Sequence, residues 1–431
     1  MNVYLEMVGC RLNQSEIERM AAQFRVAGHV IVEHSEEADL VVVNTCAVTA
    51  EAASDSRQKI RQAHRRGRGE IHVTGCWATL DPTAAGQLPG VTRVVLNTEK
   101  DELVAGLTHP NCPSIEKPGV RLPLPGARAR TRAFIKVQDG CDNHCTFCVT
   151  RVARGASRSR TLQEVLTDVG NALAGGAQEV VLSGVNLGGW GRDLQPRSSL
   201  RGLVEAVLVG TNPPRLRLSS LEPWDLNADF FNLWQDKRLC RHLHLPLQSG
   251  CAATLKRMAR KTSPGDFSRV VEMTRAVAPE MAITTDILVG FPGEDEAEFA
   301  ESLSFIQVME FAGGHVFSFS PRPGTPAVNY SSQVSRQTRR ERNAAVRAVL
   351  AQAAKKYRNQ FIGQRLNVLW ERAEQSVDGG WHLEGLSDNY LRVFGVGQQN
   401  LGNCISAVTV EGASERGLYG VIAADTEDGR D

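Results

Sequence analysis

The sequence lacks the features that direct a chain into or across a membrane. It contains no run of about 18 apolar residues, so we expect no transmembrane helix and no membrane partner. Its N-terminus, MNVYLEMVGCRLNQ, lacks a basic segment followed by an apolar one, which predicts no signal peptide. These absences favour a cytoplasmic protein. In that reducing compartment, the ten cysteines of the chain favour metal-binding or catalytic roles over disulfides.

The sequence also has little net charge, only +1, so its overall charge indicates neither a nucleic-acid partner nor the absence of one. Basic residues are nevertheless concentrated in four stretches, at 57–69, 128–132, 151–160 and 336–347. Any one stretch could be a solvated helix face or part of a linker. Because the chain is nearly neutral, four such stretches imply acidic surfaces elsewhere, and this asymmetry favours a polyanionic partner.

The 431 residues are too many for one hydrophobic core, and we expect two or three domains of the α/β class. Residues 1–108 alternate strand-like and helix-like segments, which predicts an open parallel sheet. Residues 109–131 are proline-rich and aperiodic, as in a linker. Residues 132–361 contain six strand–helix repeats, which predict a partial (β/α)6 barrel with a trailing basic helix. Short strands with glycine turns at 362–424 predict a small β-barrel, and 425–431 form a tail.

Three cysteines lie within eight residues of the stretch QDGCDNHCTFCVTR, with no fourth cysteine nearby: Cys141, Cys145 and Cys148. Structural zinc sites use four protein ligands, whereas three thiolates can hold an iron–sulfur cube with one iron left open. An open iron can chelate the amino and carboxylate groups of a small cofactor. The stretch follows the first predicted barrel strand, at the face where barrel active sites lie. The alternative is a zinc loop with a remote fourth ligand, such as His144 or Cys112.

Five further residues follow predicted barrel strands and are candidates for the same pocket. Gly184 lies in the glycine-rich turn LSGVNLGGWG, where backbone amides could approach a ligand amine. Glu222 in LSSLEP is suited to hydrogen-bond ribose hydroxyls. Gln248 and Ser249 lie in LPLQSG, and Gly290 lies in ILVGFPGE. Each could serve packing or capping, but their common position at strand ends favours a shared pocket.

A second set of cysteines, Cys10, Cys46 and Cys76, follows three predicted parallel strands of the N-terminal region. The carboxyl ends of such strands form the usual ligand crevice of an open α/β sheet, so we expect the three thiols to converge there. Three ligands again predict a cluster with an open iron, here for a sulfur species. The remaining cysteines are interpreted as structural or incidental, although Cys251 could lie near the pocket: Cys112, Cys240, Cys251 and Cys404.

With both triads in place, the chain resembles the methylthiotransferases of the radical S-adenosylmethionine superfamily over nearly its whole length. The C-x3-C-x2-C spacing with Phe147 before the last cysteine resembles the superfamily hallmark, and GCRLNQSE, VVNTCAVT and VTGCWA resemble the family's N-terminal domain. The stretch GLSDNYLRVFGVG resembles the RNA-binding TRAM β-barrel, and ILVGFPGE resembles the adenine-contacting segment.

The resemblance implies two 4Fe–4S clusters and S-adenosylmethionine as cofactors. Cys141, Cys145 and Cys148 would hold the cluster that cleaves S-adenosylmethionine, and Cys10, Cys46 and Cys76 would hold an auxiliary cluster that carries sulfur. It also implies an external electron donor and a sulfur source. The C–H bond at carbon 2 of an adenine is unactivated, so its replacement requires a radical cofactor rather than an acid–base side chain.

Known branches of this family act on isopentenyladenosine in tRNA, on threonylcarbamoyladenosine in tRNA, or on an aspartate of a ribosomal protein. The motifs LPLQSG, TTDILVGFPGE and SPRPGTPA most resemble the threonylcarbamoyladenosine branch, which implies methylthiolation at position 37 beside the anticodon. Phe147 and Trp190 stand where tyrosines are more usual, and Thr150 and Arg151 replace a more typical apolar–proline pair. An alternative of another class is a non-catalytic RNA-binding protein with structural metal.

Overall fold

The computed structural model describes residues 1–107 and 131–423. Cys112, residues 109–130 of the predicted linker and the predicted tail at 425–431 lie outside the described residues. None of the helices in the described part of the chain is both long and apolar enough to cross a membrane.

The N-terminal region forms a five-stranded, fully parallel sheet in the order β2-β1-β3-β4-β5. Its elements, in chain order, are β1 (Asn2–Met7), α1 (Arg11–Val26), β2 (Val30–Ile31), β3 (Leu40–Thr45), α2 (Ala50–Arg66), β4 (Glu70–Gly75), α3 (Cys76–Leu80), α4 (Pro82–Gly86) and β5 (Val91–Val95). The central strand β3 is buried along its whole length, as its apolar, β-branched run predicts for a strand covered on both faces.

The middle region contains six parallel barrel strands and the helices between them. Its elements, in chain order, are β6 (Arg132–Lys136), β7 (Gln138–Asp139), α5 (Val149–Arg154), β8 (Arg158–Ser159), α6 (Leu162–Ala174), β9 (Glu179–Ser183), α7 (Leu200–Gly210), β10 (Arg215–Leu218), α8 (Ala228–Phe231), β11 (His242–His244), α9 (Ala252–Arg257), α10 (Pro264–Val277), β12 (Ala282–Val289), α11 (Glu296–Met309), β13 (Gly313–Ser318) and α12 (Arg336–Asn359).

These strands form two parallel sheets, β6-β9-β10 and β11-β12-β13. A parallel bridge between Ser220, just beyond β10, and His244, the last residue of β11, joins the sheets, so the six strands curve into one partial barrel. Its core is aliphatic and aromatic, with Leu182, Leu218 and Phe267 among the fully buried side chains. The predicted partial (β/α)6 barrel is therefore confirmed.

The C-terminal strands close into a five-stranded barrel in the order β14-β15-β16-β18-β17. The strands are β14 (Arg365–Gln375), β15 (Trp381–Ser387), β16 (Arg392–Gly397), β17 (Ile405–Ala413) and β18 (Leu418–Ile422). Trp370 lies fully buried at its centre and donates its indole N–H to Ser406 Oγ at 2.7 Å. The α/β fold class, with a small β-barrel at its end, is confirmed.

The C-terminal barrel docks on the amino-terminal ends of the partial-barrel strands. Arg215 donates to the carbonyl oxygens of Leu386 and Asn367 at 2.9 and 2.8 Å. Arg217 donates to the carbonyl oxygens of Asp388 and Ser387 at 3.0 and 3.2 Å. Both arginines are buried, so these backbone acceptors replace water as partners of their guanidinium groups. The small barrel thus closes the end of the partial barrel opposite the predicted cysteine loop.

Candidate functional site

The structure brings Cys10, Cys46 and Cys76 to the carboxyl ends of three adjacent strands, β1, β3 and β4. Gly9 and Gly75, which precede two of the cysteines, both have a φ of +98°, a conformation that L side chains rarely adopt. Gly9 packs directly on Cys46, because a Cβ added to Gly9 would lie 2.4 Å from the Cys46 Sγ. The Cys10 and Cys76 thiols are close enough to act electrostatically on Cys46. These turns explain how cysteines from three separate strands converge.

Burial sets the protonation state of the central thiol in this group. Cys46 and Cys76 are buried, whereas Cys10 remains exposed. Burial raises the pKa of Cys46 to about 11. Because metal ligands must be thiolates, cluster binding at this edge would release protons and stabilise the folded domain.

The second triad lies on the loop between β7 and α5, beyond the carboxyl end of the first barrel strand. The loop is held by backbone bonds: the Cys141 N–H donates to Gly155 O at 3.0 Å, and the Thr146 N–H donates to Met258 O at 3.1 Å. Cys145 and Cys148 both act electrostatically on Cys141, whose pKa burial raises to about 11. The loop therefore gathers its three thiols in one partly buried place.

Arg260 lies beside this loop and was not predicted as a site residue. Its Nη1 lies 3.8 Å from the Cys145 Sγ, and its two Nη atoms donate to Glu222 at 3.0 and 2.6 Å. Its guanidinium also stacks on Trp224, 4.6 Å from the ring centroid. Burial raises the pKa of Cys145, and the charge of Arg260 opposes that rise. Arg260 thus favours the thiolate that a cluster needs.

The donor chemistry of both triads, three thiols each, is compatible with an iron–sulfur cube, whereas a structural zinc site needs four protein ligands. Across residues 1–107 and 131–423, no three His, Cys, Asp or Glu side chains stand close enough together to hold one metal ion. A cube presents a separate iron to each thiolate, so its ligands stand farther apart than the ligands of one zinc.

Glu222 and Gly184 lie at the same face as the cysteine loop. The Glu222 carboxylate is paired with Arg260 and acts electrostatically on both Cys141 and Cys145. Gly184 packs on Gln138, because an added Cβ would lie 2.9 Å from the Gln138 Oε1. Gln138 in turn donates to the carbonyl oxygens of the next two residues, at 2.8 and 2.7 Å. Gly184 is therefore required by packing, whether or not it also contacts a ligand.

The remaining three candidates differ in their hydrogen bonding and packing. Gln248 has a φ of 70°, unusual for a residue with a side chain, and its side-chain amide makes no hydrogen bond within the described residues. Ser249 is buried, and its hydroxyl accepts from the Cys251 N–H at 3.2 Å. Gly290 packs under Arg339 of α12. Gln248 is thus the best placed of the three to reach a ligand.

A buried charge cluster, which the sequence analysis missed, joins the two triads. It consists of Glu16 from α1, Lys100, Lys136, Asp139 and Arg154 from α5. Arg154 donates to Glu16 at 2.9 Å and to both Asp139 oxygens at 3.0 and 3.1 Å. Lys100 and Lys136 bond Glu16 at 2.8 and 3.3 Å. Burial alone would raise the pKa of Glu16, but these cations hold it well below its usual range.

Side-chain amides connect this cluster to the auxiliary thiols. The Asn13 Oδ1 accepts from Arg154 at 2.9 Å and lies 3.8 Å from the Cys10 Sγ. The Asn97 Nδ2 donates to Ala153 O at 2.8 Å and lies 3.8 Å from the Cys76 Sγ. Helix α5 begins directly after Cys148, so a single helix links the two cysteine sites.

The departures from the family motifs leave local packing intact. Phe147 packs edge-on against Phe291, with ring centroids 6.4 Å apart. Trp190 is buried and donates its indole N–H to Arg160 O at 3.0 Å. Thr150 and Arg151 lie within the regular helix α5. Cys240 and Cys251 are buried in the barrel region, Cys251 next to the candidate Ser249, and Cys404 is exposed.

Comparison with known proteins matches this architecture. The family described as Uncharacterized protein family UPF0004 matches residues 2–97, and the Radical SAM superfamily matches residues 135–306. The threonylcarbamoyladenosine tRNA methylthiotransferase MtaB of Thermotoga maritima is 37% identical, covering 99% of this chain and 98% of that protein. A tRNA-2-methylthio-N(6)-dimethylallyladenosine synthase of Frankia casuarinae is 34% identical, covering 86% of this chain and 71% of that protein.

Among solved structures, the radical S-adenosylmethionine methyltransferase TsrM of Kitasatospora setae, with cobalamin and a 4Fe–4S cluster bound, has a TM-score of 0.58. It is 15% identical, covering 76% of this chain and 77% of that chain. At that identity the likeness concerns the fold alone.

Proposed function

Because this chain belongs to the radical S-adenosylmethionine methylthiotransferase family, we propose that it adds a methylthio group to carbon 2 of threonylcarbamoyladenosine at position 37 of tRNA. The observation that carries the proposal is the match to the Thermotoga maritima protein, which extends over 99% of this chain and 98% of that relative. The Frankia relative, named for a dimethylallyladenosine substrate, matches over a smaller share of both chains. A tRNA-modifying enzyme would work in the cytoplasm.

Each cysteine triad has a separate role in this proposal. Cys141, Cys145 and Cys148 hold the cluster that receives S-adenosylmethionine, and Cys10, Cys46 and Cys76 hold the auxiliary cluster. When bound, the two clusters and S-adenosylmethionine supply the one-electron chemistry that an unactivated C–H bond requires. An external electron donor and a sulfur source complete the reaction.

The protein's own side chains orient these groups. Arg260 donates towards Cys145 and fixes Glu222 at the ends of the barrel strands. The Glu222 carboxylate keeps lone pairs available for ribose hydroxyls, and Gln248 offers a side-chain amide with no other partner in the described residues. The target base must leave its stack to reach this face, which costs only a few kcal/mol in a loop that is already partly single-stranded.

Nucleoside analysis tests the proposal most directly. tRNA from a strain that lacks the gene should contain threonylcarbamoyladenosine without its methylthio group, and the wild-type gene should restore the modified nucleoside. Loss of the methylthiolated dimethylallyladenosine would instead indicate the branch of the Frankia relative. An unchanged nucleoside profile would point to the ribosomal-protein substrate or to the non-catalytic alternative. A count of iron per chain would then distinguish the two, because only the enzyme carries two iron–sulfur clusters.

A further inference from the structure

The segment that follows β13, the last strand of the partial barrel, is pinned to the loop that carries Cys141, Cys145 and Cys148. The Ala327 N–H donates to Thr146 O at 2.9 Å. Gly324 packs on Val152 of α5, since an added Cβ would lie 3.4 Å from that side chain. Within the segment, the Thr325 N–H and Oγ1 both donate to Arg322 O, at 3.2 and 2.7 Å. The backbone at Arg322 is therefore fixed relative to the cysteine loop.

The charges that act on the side chain of Arg322 belong to the other cysteine site. The acidic groups whose charges act on its guanidinium are Glu51, at the start of α2, and Cys46. Arg322 thus extends from the partial barrel towards the N-terminal domain, in the region between the two triads.

Arg322 is a half-buried residue, yet within the described residues its guanidinium makes no hydrogen bond and no ion pair. Other buried or half-buried arginines near the two sites have hydrogen-bond acceptors. Arg11 and Arg339 donate to the Tyr390 hydroxyl and to Phe319 O, and four more are paired with carboxylates: Arg154, Arg257, Arg260 and Arg342. Partial removal of a cation from water without a partner is unfavourable, so the arrangement is suited to an anion that arrives with a ligand. Arginine offers a planar fork of donors that matches carboxylate and phosphate oxygens.

We propose that Arg322 binds an oxyanion of the RNA substrate and so holds the target nucleotide between the two cysteine sites. This inference rests on the proposed function. Two groups of that substrate carry suitable oxygens: the carboxylate of the threonylcarbamoyl substituent and a backbone phosphate of the anticodon loop.

Binding measurements with the full chain, carrying both clusters, distinguish these sources. The variants are Arg322→Gln and Arg322→Lys, with Arg201→Gln as a matched control on the outer helix α7, where Arg201 pairs with Glu205. The probes are anticodon stem-loops that carry threonylcarbamoyladenosine, its methyl ester, or unmodified adenosine at position 37. We expect Arg322→Gln to weaken binding of the first stem-loop roughly tenfold to a hundredfold, the range for a lost hydrogen bond to a charged group.

If Arg322 binds the carboxylate, the loss should vanish with the ester and with unmodified adenosine. If it binds a phosphate, the loss should be equal for all three stem-loops. In either case Arg322→Lys should retain part of the affinity, because it keeps the charge but not the planar fork.

Equal affinity of Arg322→Gln and Arg201→Gln for every stem-loop would overturn the inference. Lower iron content or melting temperature in both Arg322 variants would assign the residue a structural role and overturn it as well. The proposed function is tested separately by the wild type: failure to methylthiolate the threonylcarbamoyl stem-loop refutes that function, whereas unaffected binding in an active enzyme refutes only the role of Arg322.

Discussion

At the scale of single residues, the main finding is that five buried charges hold the N-terminal domain on the partial barrel. Three cations and two carboxylates meet around Glu16 and Arg154, and each carboxylate has at least two cationic neighbours. A charge cluster of this kind is costly to desolvate and tolerates few changes, because any member that is removed leaves others unpaired. Its position between the triads suggests that it fixes their separation.

Arg154→Gln is expected to lower the free energy of unfolding by about 3–5 kcal/mol, the range for breaking a buried ion pair from one side. Glu16 and Asp139 would both lose their guanidinium partner while staying buried. Chemical denaturation of the cluster-loaded chain measures the change, with the exposed Arg201→Gln as the control. A loss no larger than that of the control would mean that the cluster contributes no net stability.

Residues of this kind could not be predicted from the sequence. Glu16 and Arg154 are 138 positions apart, and their contact depends on how two domains pack. Arg260, which touches Cys145, is likewise separated from it by 115 positions. The six cysteines, in contrast, could be singled out because their spacing and their positions after predicted strands are local features. Their roles as ligands stay a prediction.

At the scale of elements, the turns after the barrel strands determine the shape of the candidate pocket. Gly184 directly follows β9, and Gln138 lies just before the cysteine loop. The Gln138 side chain accepts from the Asn186 N–H at 2.9 Å while it donates to the loop's first carbonyl groups. The turn after the second strand therefore positions the loop after the first.

Gly184→Ala is expected to destabilise the protein by about 1–3 kcal/mol, as overpacking of a tight contact does. The added methyl group would meet Gln138 and the Leu187 backbone at 2.9–3.3 Å. Gly170→Ala provides the matched control, since Gly170 lies in α6 with no atom within 4 Å of the added Cβ. There we expect a gain of about 0.5–1 kcal/mol from the higher helix propensity of alanine. Thermal unfolding of both variants measures the contrast, and a neutral Gly184→Ala would contradict it.

The elements themselves were largely predictable because they have strong local signals. All six predicted barrel strands are present, and a helix between two of them, α10 (Pro264–Val277), begins at a capping box formed by Ser263 and Asp266. The prediction did not include β2, β7 and β8, which have two residues each. Strands this short carry no alternation of apolar and polar residues, so they are recognised only by their hydrogen bonds to neighbouring strands.

At the scale of the whole molecule, Tyr390 joins all three parts of the chain. It belongs to the turn between β15 and β16, and it has a φ of 65°. Its ring stacks on His242 of the partial barrel, with centroids 4.1 Å apart, and lies under Arg217. Its hydroxyl accepts from Arg11, next to Cys10. Deleting the C-terminal barrel would therefore expose buried residues of the partial barrel to water. Point variants test the RNA-binding role of the C-terminal barrel without that exposure.

Tyr390→Ala is expected to lower the free energy of unfolding by on the order of 2 kcal/mol, because it removes an aromatic ring from a packed interface. Tyr390→Phe keeps the ring and loses only the bond to Arg11, so its effect should be smaller. Hydrogen exchange should speed up in all three parts of the chain for the alanine variant, at the starts of α1 and β11 and at the β15–β16 turn. Faster exchange at the β15–β16 turn alone would show that Tyr390 does not couple the parts.

The largest test at this scale separates the two cysteine sites. Cys46→Ala should reduce iron from about eight to about four atoms per chain, because only one 4Fe–4S cluster keeps its three ligands. Its strand lies in a different part of the chain from the Cys141 loop, so reductive cleavage of S-adenosylmethionine should continue while methylthiolated nucleoside disappears.

Cys145→Ala should also halve the iron, but it should abolish the cleavage. Cys404→Ala, an exposed cysteine outside both triads, should keep full iron and full product. If Cys46 were only a core residue, alanine would cost on the order of 1 kcal/mol and leave the iron unchanged, which would remove the N-terminal domain from the reaction.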